Sequence, residues 1–442
     1  MASNTGSGRS DVLIIGGGPA GSTAATLLTE QGFRVTLLEK DHHPRFHIGE
    51  SLLPSNLKLF ERLGVAEQMR AIGMPKWGAE FVSMHHGRSQ TFQFAESWDK
   101  SLPFAYQVRR SQFDEILIRR AAQVGAEVVE GCRVTAVEFL PEGAGVRAEV
   151  RDEGGKVGQR EARFLIDASG RDTFLANRFA IKQRNPRHNS AAMFAHFSGA
   201  RRHSGPQAGN ISIYWFDYGW LWFIPLADGA TSVGAVVWPW YLKQRTIPVR
   251  DYFLATIEHC PPLAERLRNA EIVSDVYATG NYSYTADRSY GPGYLLLGDA
   301  YAFVDPMFSS GVWLAMHSAV EGAQAVAACL REPERAPALL RRFDRMMRHG
   351  PKDYSWFIYR ITGPTLCELF MAPRNTLRMK EAILSLLAGD IFGNSPMRLS
   401  LFAFKALYYV VAALNPRRSL AWLRNRAFNI RPPESEQATS PG

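Results

Sequence analysis

An α/β fold built on a parallel sheet and leading into a helical C-terminal extension is predicted by three observations. A short apolar strand near the N-terminus runs into a glycine-rich turn and a helix, and the next strand ends on an acid. Two later apolar runs, 164–167 and 294–297, also read as strands entering small-residue turns. Past about Gly350 the pattern turns helical. At 442 residues the chain suits two or three closely associated lobes. With 46% hydrophobic and 21% charged residues it is globular.

The N-terminal element is the most explicit. Residues 11–15 (DVLII) form a buried strand that feeds Gly16-Gly17-Gly18-Pro19-Ala20-Gly21, then a helix to about Gln31. A second strand over 34–38 ends at Glu39. Gly16 permits the tight turn, Gly18 lets a pyrophosphate approach the backbone, and Gly21 lets helix and strand pack. The helix start offers free N–H groups to phosphates, and Glu39 is placed to accept from a ribose. The unit is a Rossmann-like dinucleotide site.

The bulk numbers narrow the context. The four cysteines, Cys132, Cys260, Cys329 and Cys367, are scattered with no C-x-x-C pair, so neither a metal site nor a disulfide framework is expected. Residues 1–10 are small and polar, unlike a signal peptide, which points to a cytoplasmic protein. The net charge of +9 suits anionic cofactors, acidic partners or membranes, or is simply a basic surface. No nucleic-acid motif accompanies it.

Four further strings carry the chemistry. Residues 44–54 (PRFHIGESLLP) form a loop with a helix start at Ser51 or Ser55. Lys76 stands in Met74-Pro75-Lys76-Trp77-Gly78; by itself it reads as a solvated lysine. Residues 218–225 (YGWLWFIP) place Trp220 and Trp222 on one face of a strand, as a core wall or a barrier. Residues 298–312 (GDAYAFVDPMFSSGV) lead into a helix whose first N–H groups can hold an anion.

In this order the strings resemble the flavin-dependent halogenases, within the FAD-binding fold of aromatic hydroxylases. The resemblance implies a Rossmann-like FAD-binding fold with an interleaved mixed β-sheet substrate domain. FAD, used as FADH2, would be held by Gly16, Gly18, Ala20, Gly21, Glu39, Arg45, Ser51, Asp299, Pro306, Gly311 and Val312. Chloride or bromide would sit at Ser310 and Gly311. Lys76 would be the lysine that receives hypohalous acid, as an ammonium donor or, with a lowered pKa, as an amine. Trp220 and Trp222 would keep substrate from the flavin. Asp305 is a candidate for covalent flavin attachment, or a turn residue.

One departure matters. Tryptophan halogenases carry a Glu where this chain has Phe308, so the resemblance is to the branch acting on phenols, pyrroles and carrier-bound acyl groups. Another acid or base must replace that Glu, or none is needed. No second G-x-G-x-x-G builds an NAD domain, so the electrons come from a transiently bound nicotinamide or from reduced flavin made elsewhere; the resemblance implies a separate flavin reductase. The rival reading is an NAD(P)H-dependent aromatic hydroxylase or a geranylgeranyl-reductase-like enzyme.

The expected organisation is a catalytic, monooxygenase-like module over 1–350, with the substrate sheet mainly in 77–110 and 190–285. A helical region follows over 351–430 and a disordered tail over 431–442. Residues 399–414 are almost wholly apolar, too short to span a bilayer at roughly 20 residues. Arginines follow at 417, 418, 424, 426 and 431. This reads as a helix packed over the catalytic lobe. Docking of an acyl or peptidyl carrier protein, or peripheral contact with a membrane, is the alternative.

Overall fold

The computed structural model describes residues 9–280, 282–392 and 396–430; the expected tail over 431–442 lies outside them. The first sheet is a parallel stack in the order Glu127–Val129, Val35–Leu38, Ser10–Ile15, Val157–Asp167 and Tyr294–Leu296. Ser10–Ile15 is buried along nearly its whole length, as the central strand of a parallel sheet. Its neighbours leave in opposite directions along the sheet, which opens a crevice beyond its C-terminal end. The hairpin Cys132–Leu140 and Gly145–Asp152 extends the long strand Val157–Asp167 as an antiparallel flap.

The second sheet runs Ala191–Ser198, Thr231–Val237, Gly219–Pro225, Ile211–Phe216, Gly78–Ser83 and Arg88–Gln93. All its pairings along this path are antiparallel except Ile211–Phe216 on Gly78–Ser83. Register explains how it holds its aromatic load. Trp222 faces Gly234 across the strands, and a Cβ on Gly234 would lie 2.2 Å from the indole. Residues 94–110 do not join this sheet as expected. Ala105–Gln107 instead pairs with Met74–Lys76 as a separate two-stranded ribbon.

The C-terminal run of helices begins with Ser310–Arg331, and Ala336–Ile358 runs unbroken across the expected module boundary at 350, through Gly350 and Pro351. Gly-Pro ordinarily ends a helix. Here Gly350 is the close-packing point for Phe392, which a Cβ would meet at 2.3 Å. Tyr354, Phe357 and Ile358 bury the following turn. The helices Pro364–Met371, Met379–Leu387, Met397–Leu414 and Pro416–Ile430 complete the described chain. Phe370 packs on Phe81 and Phe92, so the C-terminal helices cover one end of the second sheet. The long apolar helix is not covered as expected: only Met397, Ser400, Phe404 and Tyr408 are buried on it.

Candidate active site

A cavity of about 370 Å³ lies between the two sheets, from Glu39 at one end to Trp220 and Trp222 at the other. At the first end, Gly16 adopts φ +101°, and a Cβ there would sit 2.4 Å from the Ala168 carbonyl. Helix Pro19–Glu30 starts at Gly18 with no side-chain cap, so its first N–H groups are available to a ligand. A Cβ on Gly18 would meet nothing nearer than Arg45 Nη2 at 3.7 Å, leaving the approach open. Gly21 does not line the cavity. A Cβ there would fall 1.9 Å from the Gly16 carbonyl oxygen, so its work is packing rather than ligand contact.

Glu39 is buried and accepts from the Gly17 N–H at 2.6 Å and the Asp41 N–H at 3.0 Å. Arg45 lines the cavity between Glu39 at 3.8 Å and Asp114 at 3.4 Å. Ala20, Asp299, Pro306, Gly311 and Val312 line it as well. Burial pushes the Asp299 carboxyl up to about 6, moderated by Arg171 and Arg110. Both arginines face the cavity. Neither had been picked out, although Arg171 follows Gly170 in one of the quoted turns. This set of open backbone, uncapped helix start and paired carboxylates fits FAD.

The other end carries the unusual groups. Trp220 and Trp222 stand on one strand with ring centroids 6.0 Å apart, and the Trp222 indole N–H donates to Ser232 Oγ at 3.2 Å. Lys76 is 1% exposed. Its ammonium donates to Ser51 Oγ at 2.8 Å and to the Leu52 carbonyl at 2.9 Å. Ser51 lines the cavity and Lys76 lies one side chain behind it. Burial alone lowers Lys76 to about 7. The helix Asn56–Leu63 starts at Ser55, as expected, but neither serine hydroxyl caps it. Ser51 receives the lysine, and Ser55 Oγ donates to the Ala388 carbonyl at 2.9 Å.

The turn at 306–312 divides its expected roles. Ser309 takes φ +56°, and the helix from Ser310 begins without a side-chain cap. Gly311 borders the main cavity, whereas Ser310 faces only a smaller one of about 40 Å³ beside Asp305 and Tyr354. Phe308 is buried within 6.3 Å of Tyr354 and of Phe357. Asp305 does not line the main cavity. It caps its own turn through the Met307 N–H at 3.0 Å and lies 2.7 Å from His188 Nε2, as a turn residue would.

One pair had no signal in the sequence beyond the quoted Gly49-Glu50-Ser51. Glu50 Oε1 lies 2.8 Å from His196 Nε2, on a strand 146 residues away. The second oxygen, Oε2, is buried without a partner, and Glu50 lines the main cavity beside Ser51.

The FAD binding domain model matches residues 9–351. The chain is 30% identical over 419 residues to the 1H-pyrrole-2-carbonyl-(peptidyl-carrier protein) chlorinase of Pseudomonas fluorescens, covering 88% of this chain and 91% of that one. It belongs to the flavin-dependent halogenases. This halogenase is also 35% identical over 327 residues to the tryptophan 2-halogenase of Chondromyces crocatus, spanning 71% of its own length and 60% of the relative's. The solved myxobacterial chondrochloren halogenase, a variant of FAD-dependent halogenases, matches with a TM-score of 0.77 at 33% identity, over 88% of this halogenase and 92% of the other chain.

Proposed function

We propose that this enzyme chlorinates or brominates an electron-rich aromatic of phenol or pyrrole type, by way of hypohalous acid guided to Lys76. The observation that carries this reading is Lys76 itself, buried behind Ser51 with no carboxylate among its hydrogen-bond acceptors. Reduced FAD, when bound, supplies with oxygen the oxidising power that turns a halide into hypohalous acid.

The protein's own groups do the rest. Gly18, Glu39, Arg45 and Asp299 hold and orient the cofactor, and Gly311 with Ser310 serves the halide. Trp220 and Trp222 close the cavity against an aromatic substrate. With a pKa of about 7, Lys76 has access to both protonation states near neutrality. As an ammonium it donates to the hypohalous oxygen and makes the halogen more electrophilic; as an amine it attacks the halogen, so that the N–halogen bond forms while the O–halogen bond breaks and the amine proton leaves with the hydroxide as water. Glu50, with its free oxygen beside Ser51, is the acid or base available in place of the Glu that Phe308 replaces.

The buried Phe308 supports a substrate already activated by its own hydroxyl or ring nitrogen. Similarity to a carrier-protein pyrrole chlorinase supports a carrier-tethered form, with FADH2 delivered by a separate flavin reductase. The test supplies FADH2 through a generic reductase with bromide or chloride. It offers phenols, pyrroles, a carrier-tethered pyrrole and free tryptophan. Mass shifts on the phenol or pyrrole class are expected. Halogenation of tryptophan alone would overturn the substrate class, and direct fast reduction by NAD(P)H would overturn the two-component scheme.

A further inference from the structure

The helices Met397–Leu414 and Pro416–Ile430 present a continuous apolar ridge to the outside. Leu399 is 81% exposed, Phe402 71% and Leu414 75%, and Tyr409, Val410, Leu420 and Leu423 are each at least half exposed. On the first helix the exposed residues at 399, 402, 406, 409, 410 and 413 recur at helical spacing, opposite the buried Met397, Ser400, Phe404 and Tyr408. The stripe is therefore one face of a helix whose other face is anchored to the protein. Isolated exposed leucines need no explanation, but an aligned set this large marks an interaction surface.

Its charge is one-sided. Residues 397–430 contain no Asp or Glu. Arg398, Arg417 and Arg424 are exposed at the ends and flank of the ridge. Lys405 and Arg418 are paired with Asp353 and Glu368 of the preceding helices. A second copy would set like charges against each other. The large side chains stand out from the surface, and none of them lines a described cavity. A folded partner would need a groove of its own to receive such a ridge, whereas a bilayer interface accepts a convex one.

We propose that this face docks the enzyme onto an anionic lipid surface. The ridge lies in the headgroup–acyl boundary, and Arg398, Arg417 and Arg424 meet the lipid phosphates. The helix Met397–Leu414, two residues longer than the apolar run 399–414 that reads as too short to span, is long and apolar enough to cross a membrane by length and composition alone. Its packed face rules for lying along the surface instead. This inference does not depend on which aromatic is halogenated.

The experiment is co-sedimentation of the full-length, FAD-loaded protein with vesicles. One set is phosphatidylcholine alone; the other is two parts phosphatidylcholine to one part phosphatidylglycerol. Binding to the mixed vesicles, weakened by salt, is expected. The double variant Leu399→Glu/Phe402→Glu should lose at least about tenfold in partitioning. Each of Arg398→Gln, Arg417→Gln and Arg424→Gln should lose about fivefold. These residues are exposed, so flavin content and melting temperature should match the parent and exclude misfolding. Three results would overturn the proposal. The first is no vesicle binding, and the second is equal binding by the double variant. The third is a lipid-free dimer, or a complex with an acidic carrier protein, that forms in place of vesicle binding and is broken by the double variant.

Discussion

Ser51 Oγ accepts a hydrogen bond from the Lys76 ammonium at 2.8 Å, and it does so from the wall of the main cavity. A bond to the charged form favours that form, so Ser51 supports the ammonium against the burial that lowers Lys76 to about 7. Ser51→Ala removes one acceptor and should move the lysine lower still, by roughly one pH unit. The pH–rate profile of halogenation, read on flavin-saturated enzyme, should shift to lower pH. An unshifted profile would mean that Lys76 does not titrate in the reaction.

Lys76→Met should reduce halogenation at least about 100-fold while FAD binding and hydrogen peroxide release continue. Its stability should change in the opposite sense. Lys76 titrates at about 7 in the folded chain against an ordinary 10.5, so between these values the unfolded chain holds more protons. Folded stability then rises with pH across that window, and the burial penalty is complete below it, roughly 5 kcal/mol at most. Melting curves should show the variant ahead of the parent at acid pH, by a margin that narrows as the pH climbs past the folded value. A margin that widened would reverse the assignment.

Gly18 and Gly21 should respond differently to alanine. The added methyl at Gly18 lies 3.7 Å from its nearest neighbour, so Gly18→Ala should melt like the parent yet bind FAD about tenfold or more weakly. At Gly21 the methyl meets the Gly16 carbonyl oxygen at 1.9 Å, so Gly21→Ala should lower the melting temperature or prevent folding. Flavin fluorescence titration and calorimetry separate the two.

Trp220 and Trp222 are buried, and truncation to Ala would cost about 3–5 kcal/mol each. The informative change is therefore the double Phe variant, which keeps the strand filled but shortens the wall. Hydroxylated product should appear beside the halogenated one in a mass-resolved assay. A product mixture identical to the parent's would assign the pair to the core alone. Trp222→Phe also strands Ser232 without its indole donor.

The N-terminal turn was legible because its glycines answer steric demands within one short stretch of chain. The lysine was legible only through resemblance, since nothing near Lys76 announces burial. Its partner stands 25 residues earlier and is brought in by the ribbon Met74–Lys76 on Ala105–Gln107. Glu50, in the loop before Ser51, meets His196 on a strand 146 residues away, a separation no local pattern encodes. Ser55 has helix-start chemistry, but a carbonyl 333 residues away wins its hydroxyl. Gly350-Pro351 reads as a break, and tertiary packing carries the helix through it.

That contact of Ser55 has a practical meaning for anyone recombining these enzymes. The Ala388 carbonyl receives both the Ser55 N–H, at 3.0 Å, and its hydroxyl, while Ser385 Oγ takes the Trp98 N–H at 2.9 Å. The last quarter of the chain thus grips the stretch whose Leu52 carbonyl seats the lysine. A chimera joined near residue 350 would splice through a helix and hand Lys76 a foreign clasp. Exchanging only the strands Ala191–Ser198, Ile211–Phe216, Gly219–Pro225 and Thr231–Val237 of the second sheet, while retaining both the first hundred residues and the C-terminal helices, leaves that clasp with its own partner.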